Sequence, residues 1–206
     1  MDSLTSDRVL LVEGDNDKHV VLQMCARILG MPEFCIIAKG GVDAVLASIA
    51  NELRVDGRKA VAIVVDANDH VTKRWRAVTE PLRELAIDVP EQPEPDGTCI
   101  EGSTRLPRVG IWLMPNNESM GELEDFVRSM LPDDDPVWPQ AESYIDGIPE
   151  GNRRFTDKKA LRAKVHAWLA TRSRPRLMGV AVRDGDLHVN GELATKFADW
   201  LRHVFE

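Results

Sequence analysis

The chain has 206 residues, 43 % of them apolar, and a formal net charge of −8, which fits one soluble domain with room for a small appendage. No apolar run is long enough to span a bilayer, and the polar, acidic opening Met1-Asp2-Ser3 lacks the layout of a signal peptide. Cys25, Cys35 and Cys99 have no CxxC spacing and make no zinc pattern with the five histidines, so they read as reduced, packed thiols of a cytoplasmic protein.

Residues 8–13 read as a strand whose consecutive apolar residues, Val9 to Val12, are the pattern of burial on both faces. A helix starts at Asp15 or Asp17 and runs to about Leu29, with Val20, Val21, Met24 and Ile28 at helical spacing and Gly30 as the stop. Phe34 to Ala38 is a second strand, Gly40-Gly41 a turn, and Val42 to Leu53 an amphipathic helix. Ala60 to Val65 is a third strand, and Val71 to Leu85 a helix that Pro81 bends or restarts. Residues 90–108 break this rhythm with prolines and glycines and read as a long loop or ragged hairpin. Val109 to Met114 is a further buried strand, closed by the turn chemistry of Pro115-Asn116-Asn117.

Met120 to Met130 is expected to be a helix with Glu122, Glu124 and Asp125 in its first turns, where acids also suit the helix dipole. Residues 131–151 read as a surface loop with room for a short helix. Thr156 is expected to cap a helix running to about Thr171, whose apolar stripe is Leu161, Val165, Trp168 and Leu169. After a loop over 172–190, a last helix runs from about Glu192 to Phe205 with Phe197, Trp200, Leu201 and Val204 inward. Alternating strands and helices of this kind predict an α/β fold with a mostly parallel sheet.

Charge is unevenly spread. Residues 1–150 carry 14 Lys/Arg against 28 Asp/Glu, residues 151–183 carry 10 against 1, and residues 184–206 carry 2 against 5, giving −14, +9 and −3. The basic segment 151–183 either binds a polyanion such as nucleic acid or neutralises the acidic body.

Two stretches carry the chemistry. Val9-Leu10-Leu11-Val12-Glu13-Gly14-Asp15-Asn16-Asp17 and Val61-Ala62-Ile63-Val64-Val65-Asp66-Ala67-Asn68-Asp69 each end a buried strand in carboxylates. In open α/β sheets ligands bind beyond the carboxyl ends of the strands, and hard cations such as Mg²⁺ seek carboxylate oxygens. Glu13 and Asp66 are therefore expected to converge there, close enough to share one ion. Asp15 and Asp17 read as helix caps, His19 and His166 as helix-face residues, and Asp133-Asp134-Asp135 as a solvated loop. Trp138, Trp168 and Trp200 read as core or interface anchors, while Arg74 and Trp75 lie just after the acidic loop, where substrate contact is open but not the favoured reading.

Together these stretches resemble the Toprim domain shared by topoisomerases, bacterial primases, recombination-mediator proteins and the OLD (overcoming lysogenization defect) nucleases. The segment Met114-Pro115-Asn116-Asn117 through Gly121-Glu122-Leu123-Glu124-Asp125 is similar to small stand-alone Toprim-like proteins related to the OLD group. So is the run from Thr156-Asp157-Lys158-Lys159 to Phe197-Ala198-Asp199-Trp200-Leu201. The resemblance implies a single Toprim-like, Rossmann-like domain over 1–206, with a core at about 6–130 and a C-terminal helical extension at about 152–206.

It also implies a Mg²⁺ or Mn²⁺ site with Glu13 as ligand or general acid/base, Asp66 as first aspartate, and Asn68 where Asp is usual. Asp69 lies one step later. Glu122, Glu124 and Asp125 stand where a second ion would be held, and Lys158 or Lys159 where the OLD enzymes place a lysine. Helical spacing puts Glu122 and Asp125 on one face and Glu124 elsewhere, whereas the motif favours Glu124; both stay open. The functions implied are a Mg²⁺/Mn²⁺-dependent nuclease, a degenerate nucleotide- or nucleic-acid-binding or phage-defence partner module, or a small-molecule phosphohydrolase. A protein partner or homo-oligomer goes with the second of these.

Overall fold

The computed structural model describes residues 6–172 and 177–206; the opening tripeptide, and Arg174 and Arg176 of the basic segment, lie outside them. Five strands form one sheet in the order β2-β1-β3-β5-β4. They are β1 (Arg8–Val12), β2 (Cys35–Ala38), β3 (Ala60–Asp66), β4 (Thr98–Ile100) and β5 (Arg108–Met114). β2, β1, β3 and β5 run parallel, and β4 pairs antiparallel at the edge. The ragged hairpin expected in 90–108 is thus β4 turning into β5. The fold is the α/β, Rossmann-like arrangement that the strand–helix alternation predicts.

Strand alternation divides the core. Val9, Leu11, Val61, Ile63, Val65, Val109, Ile111 and Leu113 face one side, where α2 (Val42–Leu53) and α3 (Val71–Glu84) cover them. Leu10, Val12, Ala60, Ala62, Val64, Trp112 and Met114 face the other. That side is covered by α1 (Asp15–Arg27), α4 (Leu123–Arg128), α5 (Trp138–Asp146), α6 (Ala160–Ala170), α7 (Met178–Asp184) and α8 (Glu192–Phe205).

β4 and β5 are joined without a helix, so nothing from the strand–helix alternation covers that part of the sheet, and α8 fills it. Small residues on the sheet make room: a Cβ on Gly110 would lie 2.5 Å from Val204 Cγ2, and one on Gly97 would lie 2.3 Å from Trp200 Cδ1. Trp200 and Phe197 pack around Trp112 at centroid distances of 5.5 and 5.1 Å, and Trp200 Nε1 donates to the Thr98 carbonyl at 3.0 Å. The C-terminal helices therefore share one core with the sheet.

Several elements depart from the sequence expectation. The helix expected over Met120–Met130 is only Leu123–Arg128, because Gly121 takes φ 147° and is bound to Asn68 in an isolated antiparallel bridge. The residues before Leu123 are held extended by that bridge. The Thr156 side chain makes no capping bond; a 3₁₀ turn at Asp157–Lys159 comes first and α6 starts at Ala160. The loop expected over 172–190 contains α7, whose Gly179 approaches the His19 backbone so closely that a Cβ would sit 2.8 Å from it. Pro81 lies inside α3 without ending it.

Candidate metal centre

The position of the site follows from topology. α1 leaves β1 on one face of the sheet to reach β2, and α2 returns on the opposite face to β3. The carboxyl ends of β1 and β3, neighbours in unbroken parallel register, thus flank the crevice where the winding direction switches. Glu13 follows β1 and Asp66 ends β3.

Each carboxylate there is anchored by one oxygen to a backbone N–H. Glu13 Oε1 accepts from Asp66 N at 2.9 Å. Asp66 Oδ1 accepts from Leu123 N at 2.9 Å, at the start of α4. Asp17 Oδ2 accepts from Gly14 N at 3.0 Å. These bonds fix the orientation of the three groups and direct the second oxygen of each away from its anchor. The expectation that Glu13 and Asp66 meet at the carboxyl edge holds.

Glu122 comes in from the loop after β5 and Glu124 from the first turn of α4. Both are buried, at 9 % and 4 % exposure, and both are met by cations from the 3₁₀ turn and α6. Lys159 is paired with Glu122, Arg162 Nε lies 3.1 Å from Glu124 Oε1 and Nη1 3.8 Å from Glu122 Oε2, and His166 Nε2 is 3.8 Å from Glu124 Oε1. Glu122 precedes α4 as its N-cap, so it lies outside the helix, yet Glu122 and Asp125 line one cleft and Glu124 does not, as the spacing expected. Asp125, at the third helical position, turns back to accept from Glu122 N at 2.8 Å. So Asp125 closes the helix start, and Glu122 and Glu124 share Arg162.

The electrostatics separate two kinds of carboxylate. Burial, then repulsion from Glu13, Asp17, Glu122 and Glu124, pushes Asp66 up to about 8. Burial does the same to Asp17, up to about 6, with Glu13 and Glu124 adding to it. Glu13 is raised by burial against the pull of the Asp66 N–H and Arg74, and Asp125 is raised by burial too. In Glu124 burial acts upward, but His166, Arg162 and its backbone bonds together hold it low. Burial and mutual repulsion thus favour a proton on Asp66 near neutral pH, in a cluster with few cations of its own.

Other expected site residues behave differently. Asn68 sits at φ 52° in the left-handed region that asparagine tolerates. Its N–H and carbonyl bond Gly121 at 2.8 and 3.0 Å, so its first task is to tie the β3 and β5 loops together. Asp69 is exposed and paired with Lys158 at 2.8 Å, which lowers it. Arg74 Nε donates to the Asp66 carbonyl at 2.8 Å. Trp75 is not a substrate contact: it is buried and its Nε1 donates to the Pro90 carbonyl at 3.1 Å. Nor is Asp135 a solvated loop residue: its Oδ1 accepts from Val137 N, Trp138 N and Trp168 Nε1 at 2.9, 2.8 and 3.1 Å. Trp138, Trp168 and Trp200 are core.

Two clefts open on either side of residues 68–70. One of about 580 Å³ is lined by Asp69, Met120, Glu122, Asp125, Lys158 and Lys159 among others. The other, of about 420 Å³, is lined by Asp43, His70, Lys73 and Arg74 among others. Arg162, His166 and Lys73 were not singled out from sequence as site residues. The one signal available was the i, i+4 spacing of Lys158, Arg162 and His166 along the basic segment.

The donor chemistry suits a hard divalent cation: all-oxygen, desolvated and short of positive charge. The carboxylates do not close on one point. Among the described residues, the only His/Cys/Asp/Glu trio whose ligand atoms all lie within 4.8 Å of one another is Cys99, Glu101 and His203, at the far end of β5. An ion at the carboxyl edge would have to draw the second oxygens of Glu13 and Asp66 inward.

Residues 7–206 match a family described as a protein of unknown function, DUF3226, and the chain belongs to it. No curated protein and no solved structure matches the chain.

Proposed function

We propose that this chain is a Toprim-type, divalent-metal-dependent phosphoryl-transfer enzyme related to the OLD group, and specifically a Mg²⁺- or Mn²⁺-dependent nuclease acting on nucleic acid in the cytoplasm. The observation that carries this reading is the trio Glu13, Asp66 and Asp17 at the switch point. Each accepts from a backbone N–H with one oxygen, and all three are raised by burial. Glu13 and Asp66 would hold an ion, with Asn68 or Asp69 beside it, and Glu122 and Glu124 would hold a second. Bound there, such ions neutralise phosphate charge and stabilise the attacking and leaving oxygens.

The chain's own residues do the rest. In the alternative role, as general base rather than ligand, Glu13 would take a proton from the attacking water at the oxygen not bonded to Asp66 N. Lys158 and Lys159, on the rim of the larger cleft, supply positive charge toward a phosphate. Asp66, raised furthest, would release its proton when a cation replaces it.

A specific observation favours the binding-module reading instead. Lys158, Lys159 and Arg162 already pair with Asp69, Glu122 and Glu124, and Asn68 has a backbone task that needs no metal. Incubating the purified chain and its Glu13→Gln variant with single- and double-stranded DNA and RNA and Mg²⁺ or Mn²⁺ separates the two. The glutamine keeps the bond from Asp66 N and removes the charge, so the fold survives and cleavage is lost. Absence of metal-dependent cleavage by the wild type on every polymer leaves the binding module. Turnover of nucleotides alone supports a small-molecule phosphohydrolase.

A further inference from the structure

We propose that Cys99, Glu101 and His203 form a second metal site, suited to Zn²⁺, that clamps the C-terminal helix to the edge of the sheet. One ligand atom from each lies within 4.8 Å of the other two. In a tetrahedral zinc site, with Zn–S about 2.3 Å and Zn–N and Zn–O about 2.0–2.2 Å, such atoms stand roughly 3.3–3.8 Å apart. A closure of about 1 Å brings the three within reach of one ion, with water in the fourth position. Glu101 and His203 are exposed and Cys99 is half-buried, so the side chains that must move are the ones free to do so.

The scaffold delivers these groups for local reasons. Cys99 lies in β4 and Glu101 just beyond it, two residues apart on extended chain, so both point to the same face. His203 lies in the last turn of α8, and Trp200 Nε1, bonded to the Thr98 carbonyl, fixes that helix over β4. Arg108 ties the set together. Its Nε and Nη2 both contact Glu101 Oε2 at 3.2 Å, and its Nη1 donates to the His203 carbonyl at 2.9 Å. That leaves Glu101 Oε1 open and orients the carboxylate from behind, as outer partners of metal ligands do.

Thiolate, imidazole and carboxylate select zinc over magnesium, the opposite preference from the all-oxygen carboxyl edge. Cys99 pairs with Gly110 near the start of β5, and β5 ends at Met114, so the two sites lie at opposite ends of the strand. This inference does not rest on the nuclease reading.

The test uses the metal-free chain titrated with Co²⁺ in excess Mg²⁺, with absorbance as the readout. A cobalt–thiolate charge-transfer band that saturates at one ion per chain is expected. Cys99→Ser should abolish the band, His203→Gln should weaken Co²⁺ binding at least about tenfold, and Zn²⁺ should raise the thermal midpoint of the wild type and not that of Cys99→Ser. No stoichiometric band, or a band that persists in Cys99→Ser, overturns the proposal. Should Cys99→Ser not fold, Glu101→Gln and His203→Gln, both at exposed positions, decide it: weakened binding in both supports the site, and unchanged binding in both rejects it.

Discussion

Replacing Asp66 by asparagine should make the metal-free protein more stable, against the usual outcome for a half-buried polar residue. The folded-state carboxyl is raised to about 8 from an ordinary 3.8. For an acid raised by folding, the native state holds its proton more tightly than the unfolded chain. The associated stability is therefore present in full below about pH 4 and is lost as pH rises toward 8. At pH 7 the loss amounts to roughly (7 − 3.8) × 1.36, or about 4 kcal/mol, part of it shared with Glu13 and Asp17 as they adjust their own ionisation. Asparagine carries no charge to repel, and its Oδ1 still accepts from Leu123 N as Asp66 does.

The expected gain is about 2–4 kcal/mol at pH 7–8, or roughly 5–15 °C in thermal midpoint for a chain of this size. It should shrink toward zero at pH 4. The assay is thermal unfolding followed by circular dichroism, in EDTA, across that pH range. Repeating it with Mg²⁺ adds a second readout, because an ion at about 100 times its dissociation constant stabilises the native state by about 2.7 kcal/mol, and this should reach the wild type and not the variant. A variant less stable than wild type in EDTA at pH 8, or a gain of equal size at pH 4 and pH 8, would refute the electrostatic argument. Equal Mg²⁺ stabilisation of both proteins would refute the ion site while leaving the repulsion argument standing.

Asn68→Asp should tighten Mg²⁺ in a calorimetric titration by adding a charged oxygen, whereas Asn68→Ala should cost about 1–2 kcal/mol of stability for its left-handed backbone and Asn68→Gly should not. Gly110→Ala, whose new methyl would meet Val204 at 2.5 Å, should destabilise by about 1–3 kcal/mol in denaturant unfolding; a neutral result would mean that α8 is not fixed on the sheet. Replacing Lys158, Lys159 and Arg162 together by Gln should weaken nucleic-acid binding in EDTA and flatten its dependence on salt, by up to about 0.9 in log–log slope for each phosphate no longer neutralised. Lower stability with an unchanged slope would mean that these cations serve only Asp69, Glu122 and Glu124, and the binding-module reading would replace the nuclease.

What the sequence discloses and what it hides follow the range of the forces involved. β1, β3 and β5 are visible because each is buried on both faces, so every residue in the run must be apolar. Glu13 and Asp66 stand out for the same reason, as the first charges after such runs. α7 is hidden because Gly179 is a poor helix former by propensity and is required there by its contact with the His19 backbone, which is information held in another helix. The true start of α4 is hidden because it is set by the bridge between Asn68 and Gly121, two loops distant in sequence. Spacing rules for Glu122, Glu124 and Asp125 then worked from the wrong first turn, although Glu122 and Asp125 do line one cleft.

The basic segment shows the limit most plainly. Its positive charge can be counted from sequence, but whether that charge is free depends on which acids it faces. Lys159 and Arg162 reach Glu122 and Glu124 across the cleft rim, Lys164 reaches Asp146 at 2.9 Å, and Arg153 lies 3.6 Å from Asp157. Glu122 and Glu124 are themselves buried, so drawing Lys159 and Arg162 off them leaves uncompensated buried charge, and a polyanion that takes these cations needs a metal to replace them. Their carboxylate partners are then released at the same moment that a phosphate arrives. In a site where Glu122 and Glu124 are candidate ligands, this couples substrate binding to the freeing of metal-binding oxygens. The ion pairs seen here would thus be the resting state of the proposed nuclease, with the cations exchanging carboxylate for phosphate and the carboxylates exchanging cation for metal.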